Sequence, residues 1–159
     1  MIIYITIIYK KNYLNMSVIT FSKWYGPDGI EKFIIDRTGC KPYSGAGISP
    51  RKNKETTILK SVDDTYFYDD DLSNINNVKY TLFGHNGDQS ENEKKFNEPL
   101  LNKNKTQHIY LYRVRKNNKK TEYIWYGKYE IVEKNTKSHI GEDYIMRNII
   151  ILSLKKIET

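Results

Sequence analysis

The 159-residue sequence predicts an α+β domain that is mainly β, built on a curved sheet or barrel with two or three short helices. Two β-rich runs, residues 108–115 and 121–132, are separated by Lys-Asn-Asn-Lys-Lys, which predicts a hairpin. A later run, residues 144–154, is apolar on both faces near its centre, as is typical of a strand in a closed or covered sheet. Helical and strand patterns do not alternate along the chain, which disfavours a parallel α/β fold.

Length and composition favour one folded domain with a polyanionic partner. The length fits a single domain over residues 1–159, and 14 tyrosines raise the aromatic fraction to 13%, which argues against a disordered chain. The formal net charge of +7 favours nucleic acid over a membrane or an acidic protein as the partner. The single cysteine, Cys40, excludes a disulfide framework and a thiolate-rich zinc site, so we expect a reducing compartment.

The N-terminal residues 1–15 carry an apolar stretch that is too short for a membrane span. Residues 2–9 are apolar and precede Lys10 and Lys11, but a bilayer needs ~20 such residues. The charge follows the apolar run, which is the wrong order for a secretory signal. We therefore predict an extra β-strand, or upstream read-through ahead of Met16, with no membrane anchor and an intracellular location in the cytoplasm or nucleus.

Two capping boxes predict two helices. Asp28 is followed three residues later by Glu31, ahead of apolar residues at helical spacing, and Gly39 supplies the helix stop. A second box begins at Asp88, and Pro99 is expected to end the helix that follows. In this interpretation Asp88 is first of all a helix cap.

The remaining segments carry loop and strand signals. Residues 41–54 are rich in Gly, Pro and Ser and predict a loop. Residues 57–59 and 65–68 have the composition of strands. In the run 121–132, strict alternation places four large residues on one face of the strand: Tyr123, Trp125, Tyr129 and Ile131.

The most unusual segment, residues 63–89, surrounds three consecutive carboxylates with aromatic residues. Tyr66–Tyr68 precede Asp69-Asp70-Asp71, and Tyr80 follows. Because adjacent carboxylates repel one another, one of them commonly has a partner or a ligand. The segment fits a solvated acidic turn, an oxygen-ligand metal or nuclease centre, or a pocket for an extruded nucleobase. In the last case tyrosine rings cover the base and Asp71 accepts from its exocyclic amine, although the same tyrosines also fit a plain core.

Several short motifs follow one another over residues 45–157. They are Gly47-Ile48-Ser49-Pro50-Arg51, Tyr68-Asp69-Asp70-Asp71, Tyr80-Thr81 before a turn at Gly84, Asp88-Gln89, Asn97-Glu98-Pro99-Leu100, Trp125-Tyr126-Gly127-Lys128-Tyr129 and the apolar strand 147–154. In this order the sequence resembles the SET- and RING-associated (SRA, or YDG) domain, a branch of the PUA-like β-barrels. It looks most similar to short prokaryotic, restriction-associated SRA-like domains.

The resemblance implies a DNA-binding module that recognises a flipped, modified cytosine such as 5-methylcytosine. Tyr68 and Tyr80 would sandwich the base, and Asp71 would read its edge. The full base-binding set would be Tyr68, Asp69, Asp70, Asp71, Tyr80 and Thr81. The pocket loop would contain Gly84, His85, Gly87, Asp88 and Gln89. The DNA backbone would be held by Ser49, Arg51, Lys52 and Lys54.

We expect no catalytic residue, metal or cofactor in this chain. Its partners would be double-stranded DNA and, as an option, a separate nuclease or effector protein. Two alternatives stay open: a modification-dependent endonuclease or its targeting subunit, and an RNA-binding PUA-like domain. An endonuclease is disfavoured because roughly 40 residues precede the resemblance, too few for a typical catalytic domain.

Overall fold

A curled sheet of seven strands forms the body of the protein in the computed structural model, which describes residues 18–43, 45–50, 55–93, 95–102 and 108–159. The strands are β1 Ile19–Phe21, β2 Ile48–Pro50, β3 Thr56–Val62, β4 Asn77–Thr81, β5 His108–Asn117, β6 Lys120–Ile140 and β7 Met146–Glu158. The helices are α1 Ile30–Thr38 and α2 Asn97–Leu101. This is the mainly β, α+β architecture that the sequence predicts.

The strands lie in the order β2-β3-β5-β6-β7-β4, and β1 pairs with β6 outside this path. The pairs are antiparallel except β3 and β5, which run parallel and place Ser61 beside Arg113. The predicted hairpin is β5–β6, where Asn118 and Lys119 have φ angles of +49° and +65°, as a two-residue turn between twisted strands requires. β6 continues to Ile140, beyond the predicted end of this strand.

The two faces of the sheet carry separate apolar cores. On one face α1 contributes Ile30 and Ile34, which pack with Ile58, Tyr112 and Trp125. The larger core on the other face joins residues of β3–β7 and α2: Leu59, Val78, Tyr80, Leu82, Leu100, Leu111, Ile124, Tyr126, Tyr129, Ile150, Leu152 and Leu154. Apolar surface removed from water stabilises the fold by about 25 cal/mol per Å². These two cores therefore hold the sheet from both sides.

A β-bulge beside Gly127 adds one residue to β6 relative to β5. Alternate side chains of β6 therefore point to opposite faces of the sheet before and after the bulge. Tyr123 and Trp125 face the α1 core, whereas Tyr129 and Ile131 face the larger core. The prediction that these four residues share one face is therefore wrong. Strict alternation cannot anticipate an inserted residue.

The first predicted helix exists, but it does not begin with a capping box. Gly29 is the N-cap of α1 and provides no side-chain cap, while Asp28 forms an ion pair with Lys23. The predicted stop is confirmed. Gly39 adopts a φ of +72°, and its N–H donates to the carbonyl of Ile35 at 2.8 Å.

The second helix, α2, is shorter and begins later than predicted. Residues 88–93 contain no helix, and Pro99 lies in the first turn of α2 rather than beyond its end. In a first turn the missing N–H of proline has no intrahelical partner to lose. Asp88 accepts a hydrogen bond from the Asn148 N–H at 2.8 Å, so it fastens a loop to β7 and does not cap a helix.

Two other segments differ from their predicted structure. Residues 65–68 form a turn rather than a strand, and the Tyr68 N–H donates to the Thr65 carbonyl at 3.1 Å. The loop predicted over residues 41–54 contains the short strand β2. Residues 1–15, for which we predict an extra strand or read-through, lie outside the described residues. Within the described ranges, no helix is both long and apolar enough to cross a bilayer.

Gly127 is a position where a side chain is incompatible with the sheet. Its φ is +107°, and a Cβ atom there would lie 2.2 Å from the Glu158 carbonyl oxygen. Replacing Gly127 with Ala is expected to lower the free energy of unfolding by about 2 kcal/mol or more, because backbone strain and the clash add. Gly45, with nothing within 4 Å of a built Cβ, is the matched control. Urea denaturation of Gly127→Ala and Gly45→Ala measures the difference, and equal stabilities would contradict a strained bulge.

Candidate functional site

A cavity of about 520 Å³ opens at the end of β3. Its volume lies in the range of small-molecule sites, about 300–1,000 Å³. Ser61 and Arg113 line it from neighbouring strands, because the parallel β3–β5 pairing places them side by side. The other walls come from the end of β3 and the loop after it: Val62, Asp63, Asp64, Thr65, Tyr66, Tyr68, Asp70 and Leu72.

Asp70 presents a partly buried carboxyl group to this cavity. Its Oδ2 accepts a hydrogen bond from the Ser61 hydroxyl at 2.6 Å, and its Oδ1 accepts one from the Thr81 backbone N–H at 2.7 Å. Burial raises the pKa of Asp70, and the hydrogen bonds from Ser61 and Thr81 oppose this shift. A carboxylate has about four lone-pair positions, so Asp70 can accept a further hydrogen bond from a ligand amine.

The other two carboxylates of the acidic triplet have partners outside the cavity. Asp71 is exposed, and its Oδ1 accepts from the N–H and hydroxyl of Ser73 at 2.9 and 2.6 Å. These hydrogen bonds lower the pKa of Asp71. Asp69 forms an ion pair with Lys137. The structure therefore places Asp70 at the cavity wall, where the sequence interpretation expected Asp71.

The two tyrosines expected to enclose a base lie in different environments. Tyr68 lines the cavity, and burial raises the pKa of its hydroxyl. Tyr80 is 3% exposed and belongs to the larger core. Its hydroxyl donates to the carbonyls of Gly47 and Lys60 at 2.9 and 3.2 Å. Tyr80 is thus not a wall of the cavity in this structure, and the second tyrosine there is Tyr66.

A buried arginine ties together the loops behind Tyr68. Arg147 is 4% exposed and donates from Nη1 to the Gly84 carbonyl at 2.6 Å and to the Gly87 carbonyl at 3.4 Å. Its Nη2 donates to the Phe67 carbonyl at 2.6 Å. Burial lowers the pKa of Arg147, and the attraction of Tyr68 opposes this shift. This turn requires φ angles of +133° at Gly84 and +67° at Gly87. Residues with a side chain rarely adopt such angles, so glycine suits both positions.

Gln89 and His85, two other members of the predicted pocket loop, support the loop and do not line the cavity. The Gln89 side-chain carbonyl accepts from the Ile150 N–H at 2.7 Å and so binds the loop to β7. The His85 ring packs against Phe67 with centroids 5.0 Å apart, and its Nδ1 lies 3.2 Å from a carboxylate oxygen of Glu142. Tyr66 and Tyr68 form the aromatic wall of the cavity. Residues 84–89 form a turn behind this wall, and the contacts above hold the turn in place.

The residues expected to hold a DNA backbone are only partly described. Ser49 is 2% exposed, and its hydroxyl accepts a hydrogen bond from the Tyr43 N–H at 3.0 Å, which stabilises the approach to β2. Arg51, Lys52 and Lys54 lie outside the described residues. Their contact with phosphates stays a prediction.

An ion pair that the sequence analysis missed forms one wall of the cavity. Arg113 donates from Nε and Nη2 to the carboxylate oxygens of Asp63 at 2.5 and 2.8 Å, and from Nη1 to the Tyr126 hydroxyl at 3.2 Å. Hydrogen bonding to Asp63 raises the pKa of Arg113. The two partners lie 50 residues apart, so no local motif could reveal them.

Two carboxylates of the cavity, those of Asp63 and Asp70, form hydrogen bonds with side-chain and backbone donors. Among the residues that the structure describes, no three His, Cys, Asp or Glu side chains lie close enough to share a metal ion. The cavity presents donors and acceptors, among them Arg113 and Asp70, to which the hydrogen-bonding edge of an organic ligand can bind.

Comparison with known proteins identifies relatives of this fold. The profile of a family described as "ScoMcrA-like, SRA domain" matches residues 32–159. Among solved structures, the SUVH5 SRA domain in complex with methylated CHH DNA has a TM-score of 0.55 and 22% identity, covering 79% of this chain and 83% of that chain. A search of curated proteins gave no match.

Two restriction endonucleases contain the same fold within longer chains. ScoMcrA, a type IV phosphorothioation-dependent enzyme, has a TM-score of 0.58 and 17% identity, covering 89% of this chain and 28% of that chain. TagI, a modification-dependent enzyme, has a TM-score of 0.56 and 16% identity, covering 87% of this chain and 48% of that chain. The chain thus spans less than half the length of either endonuclease.

The carboxyl group of Asp70 is expected to make stability depend on pH in an unusual direction. Its folded pKa is raised above the ordinary value of 3.8. Its contribution to stability is therefore complete at low pH and is lost as the pH rises through the folded pKa. The isosteric Asp70→Asn variant removes the cost of ionisation. We expect the free energy of unfolding of this variant, relative to wild type, to increase as the pH rises from about 4 through the folded pKa of Asp70.

The exposed neighbour Asp71 provides the control with the opposite sign. Because its folded pKa is lowered, wild-type Asp71 adds stability above the ordinary pKa and loses it as the pH falls. Below about pH 4, the free energy of unfolding of Asp71→Asn, relative to wild type, should therefore decrease as the pH rises. Urea denaturation across pH measures both differences. A flat or falling difference for Asp70→Asn would contradict a desolvated carboxyl group.

Proposed function

Since the chain belongs to the family of ScoMcrA-like SRA domains, we propose that it binds double-stranded DNA and reads a modified base extruded into the cavity at Tyr68 and Asp70. The observation that carries this proposal is the desolvated carboxyl group of Asp70, which Ser61 and Thr81 fix in a cavity with aromatic walls. An extruded base needs a π surface and hydrogen-bond partners for its Watson–Crick edge. The cavity combines both.

Cytosine and its modified forms suit the hydrogen-bonding groups of the cavity. The exocyclic amine of cytosine donates, and a carboxylate is its natural acceptor, so we assign this contact to Asp70. The same edge of the base carries acceptors. Arg113 can donate to them, because Asp63 and Tyr126 take three of the five guanidinium N–H groups. Tyr68 then supplies aromatic surface for the ring.

The net charge and the relatives support DNA as the partner. The cavity is rich in carboxylates, so the phosphates bind outside it, on lysines and arginines that give the chain its charge of +7. Affinity that depends on phosphates falls steeply with salt. The SUVH5 domain was solved with methylated DNA, and ScoMcrA is named for its dependence on phosphorothioation. Both point to modified DNA as the substrate class.

A second candidate function is the DNA-reading part of a restriction endonuclease. ScoMcrA and TagI are endonucleases, and the chain matches 28% and 48% of their lengths. The nuclease would then belong to another domain or a separate protein. Incubation of this chain with modified DNA and Mg²⁺ tests whether it carries nuclease activity of its own. Cleavage by this chain alone, abolished by a chelator, would make it an enzyme itself.

Replacement of Asp70 tests the proposed base pocket. Fluorescence anisotropy at low salt identifies the duplex that the wild type favours among those carrying one 5-methyl-, 5-hydroxymethyl- or glucosylated cytosine, a phosphorothioate, or no modification. It then measures the preference for that duplex over one with thymine in place of the cytosine. Asp70→Asn is expected to lower this preference at least about fivefold, because the exocyclic amine distinguishes cytosine from thymine and one base-edge contact provides about 1–3 kcal/mol of discrimination. Asp71→Asn removes the same charge outside the cavity and should leave the preference unchanged.

The possible outcomes separate the alternatives. Loss of preference in Asp71→Asn, with Asp70→Asn unchanged, would return the base contact to Asp71. Absence of binding to every duplex at low salt would remove the proposal. Stronger competition by structured RNA than by DNA would favour the RNA-binding alternative.

A further inference from the structure

A second cleft lies on the face of the sheet that α1 covers, opposite the cavity described above. Lys60 lines the cleft and Ser61 lines the cavity, because successive residues of a strand point to opposite faces. The cleft has two parts, of about 330 and 450 Å³, which adjoin because Trp24 and Tyr123 line both. Of the described residues, Val62 alone borders both the cleft and the cavity. The two sites are therefore separate.

Aromatic rings form most of the smaller part, which we call the aromatic half. The Trp24 ring centroid lies 5.9 Å from that of Tyr112 and 5.5 Å from that of Tyr123. The Trp24 Nε1 donates to the Glu31 carboxylate at 3.2 Å, which fixes the indole. Fixed aromatic faces are suited to stacking of a nucleobase. The full lining is Trp24, Tyr25, Lys60, Val62, Tyr112, Val114 and Tyr123.

The aromatic half also contains a hydrogen-bond donor without an acceptor. Tyr112 is 1% exposed, and its hydroxyl has no hydrogen-bond partner within the described part of the chain. Burial raises the pKa of Tyr112, so the hydroxyl stays protonated and can donate. A buried tyrosine hydroxyl usually has a partner. We therefore expect a ligand to supply the acceptor.

The amine of Lys60 decides which kind of flat ligand fits the aromatic half. Aromatic cages commonly bind quaternary ammonium groups. Lys60 lines this half, and burial lowers its pKa, so its positive charge is already poorly solvated. A second cation beside it would add repulsion. A ring with acceptor atoms, such as a nucleobase, can instead accept hydrogen bonds from Lys60 and Tyr112.

The larger part of the cleft, which we call the polar half, carries groups that bind phosphates. Lys120 is exposed there. Glu122 accepts a hydrogen bond from the Arg115 Nη2 at 2.8 Å, and this interaction lowers the pKa of Glu122 and compensates its charge. Hydroxyl, amide and ammonium groups commonly bind phosphate oxygens. Besides Trp24 and Tyr123, the lining is Ser22, Asn117, Asn118, Lys120, Thr121 and Glu122.

We propose that the cleft binds a nucleotide, with the base in the aromatic half and the phosphate beside Lys120 in the polar half. The site goes beyond the proposed function, because it uses neither the cavity at Asp70 nor an extruded base. A free nucleotide and a nucleotide of a single strand present the same two groups. A base inside a duplex does not, because its neighbours cover its faces.

Tryptophan fluorescence tests the proposal on the whole chain. Of the two tryptophans, Trp24 is half-buried and Trp125 is fully buried, so a ring that stacks on Trp24 quenches the more accessible one. The probes are the four 5′-deoxyribonucleoside monophosphates and a single-stranded oligothymidylate. We expect saturable quenching of the wild type.

The variant Tyr112→Phe removes only the hydroxyl oxygen from the aromatic half. It is expected to weaken nucleotide binding about threefold to tenfold, because one hydrogen bond is lost. The melting temperature should not fall, since the hydroxyl has no partner among the described residues. Equal binding by wild type and variant would overturn the proposal. A lower melting temperature would assign the hydroxyl to the fold and would also count against it.

A pair of lysine variants tests the polar half. Lys120→Ala is expected to weaken binding about threefold, which is typical of an exposed ion pair. Lys116→Ala is the matched control, because Lys116 is exposed near the same turn and does not line the cleft. It should bind like the wild type. Equal losses in the two variants would show general attraction of an anion and would contradict a phosphate site at Lys120.

A comparison of probes identifies the source of the nucleotide. Tighter binding of the oligothymidylate than of thymidine monophosphate would assign the cleft to single strands, and the reverse would assign it to free nucleotides. Either result supports the proposal. Loss of quenching in Asp70→Asn, with Tyr112→Phe unchanged, would move the nucleotide to the other cavity and overturn it.

Two further outcomes also decide the matter. A wild-type dimer in light scattering that Tyr25→Ala dissociates would assign the aromatic half to a second copy of the chain and overturn the proposal. Absence of saturable quenching by every probe would overturn it as well. The proposed function would then still stand or fall on duplex binding, which is measured separately. Circular dichroism confirms that the variants are folded.

Discussion

The candidate site depends on one buried cation, the Arg147 guanidinium, which binds backbone carbonyls from two separate loops. A buried charge is costly unless hydrogen bonds satisfy it, so the carbonyls of Phe67, Gly84 and Gly87 converge on it in the folded protein. That convergence fixes the backbone directly before Tyr68. Arg147 is held in place because β7 pairs with β6 at this residue, opposite His139, and with β4 from Ile151 onward. The cavity is therefore positioned from the core outward.

The same loops connect the cavity with the β6–β7 turn. Residues 84–87 are bound from behind by Arg147 and from in front by the turn, whose Glu142 N–H donates to the His85 carbonyl at 2.9 Å. Tyr66 contacts both the cavity and the turn. The aromatic wall and the β6–β7 turn therefore belong to one braced unit. In the proposed function, such a unit would bind an extruded base without further ordering of the protein.

Short sequence patterns correctly predicted the structural features that depend on interactions between residues close in sequence. The β5–β6 hairpin and the stop at Gly39 follow from turn chemistry and glycine geometry, both of which operate over a few residues. The predicted capping boxes are absent, and their carboxylates have other partners: Asp28 pairs with Lys23, five residues before it, and Asp88 binds the distant β7. The alternation of polar and apolar residues in β4 is typical of a buried Tyr80, whereas the family resemblance implies a binding role for it.

The acidic triplet shows why the site could be located in sequence but not assigned to one carboxylate. In an irregular loop no periodicity tells which of three neighbours faces a cavity. Ser61 on β3 and Thr81 on β4 select Asp70, and only the folding of these two strands brings the donors, 9 and 11 residues away in the sequence, to its carboxylate. The selection also separates two roles within a cationic protein. In the proposed function, a desolvated carboxylate binds the base edge and cations outside the cavity bind the phosphates, so selectivity and affinity would depend on different groups.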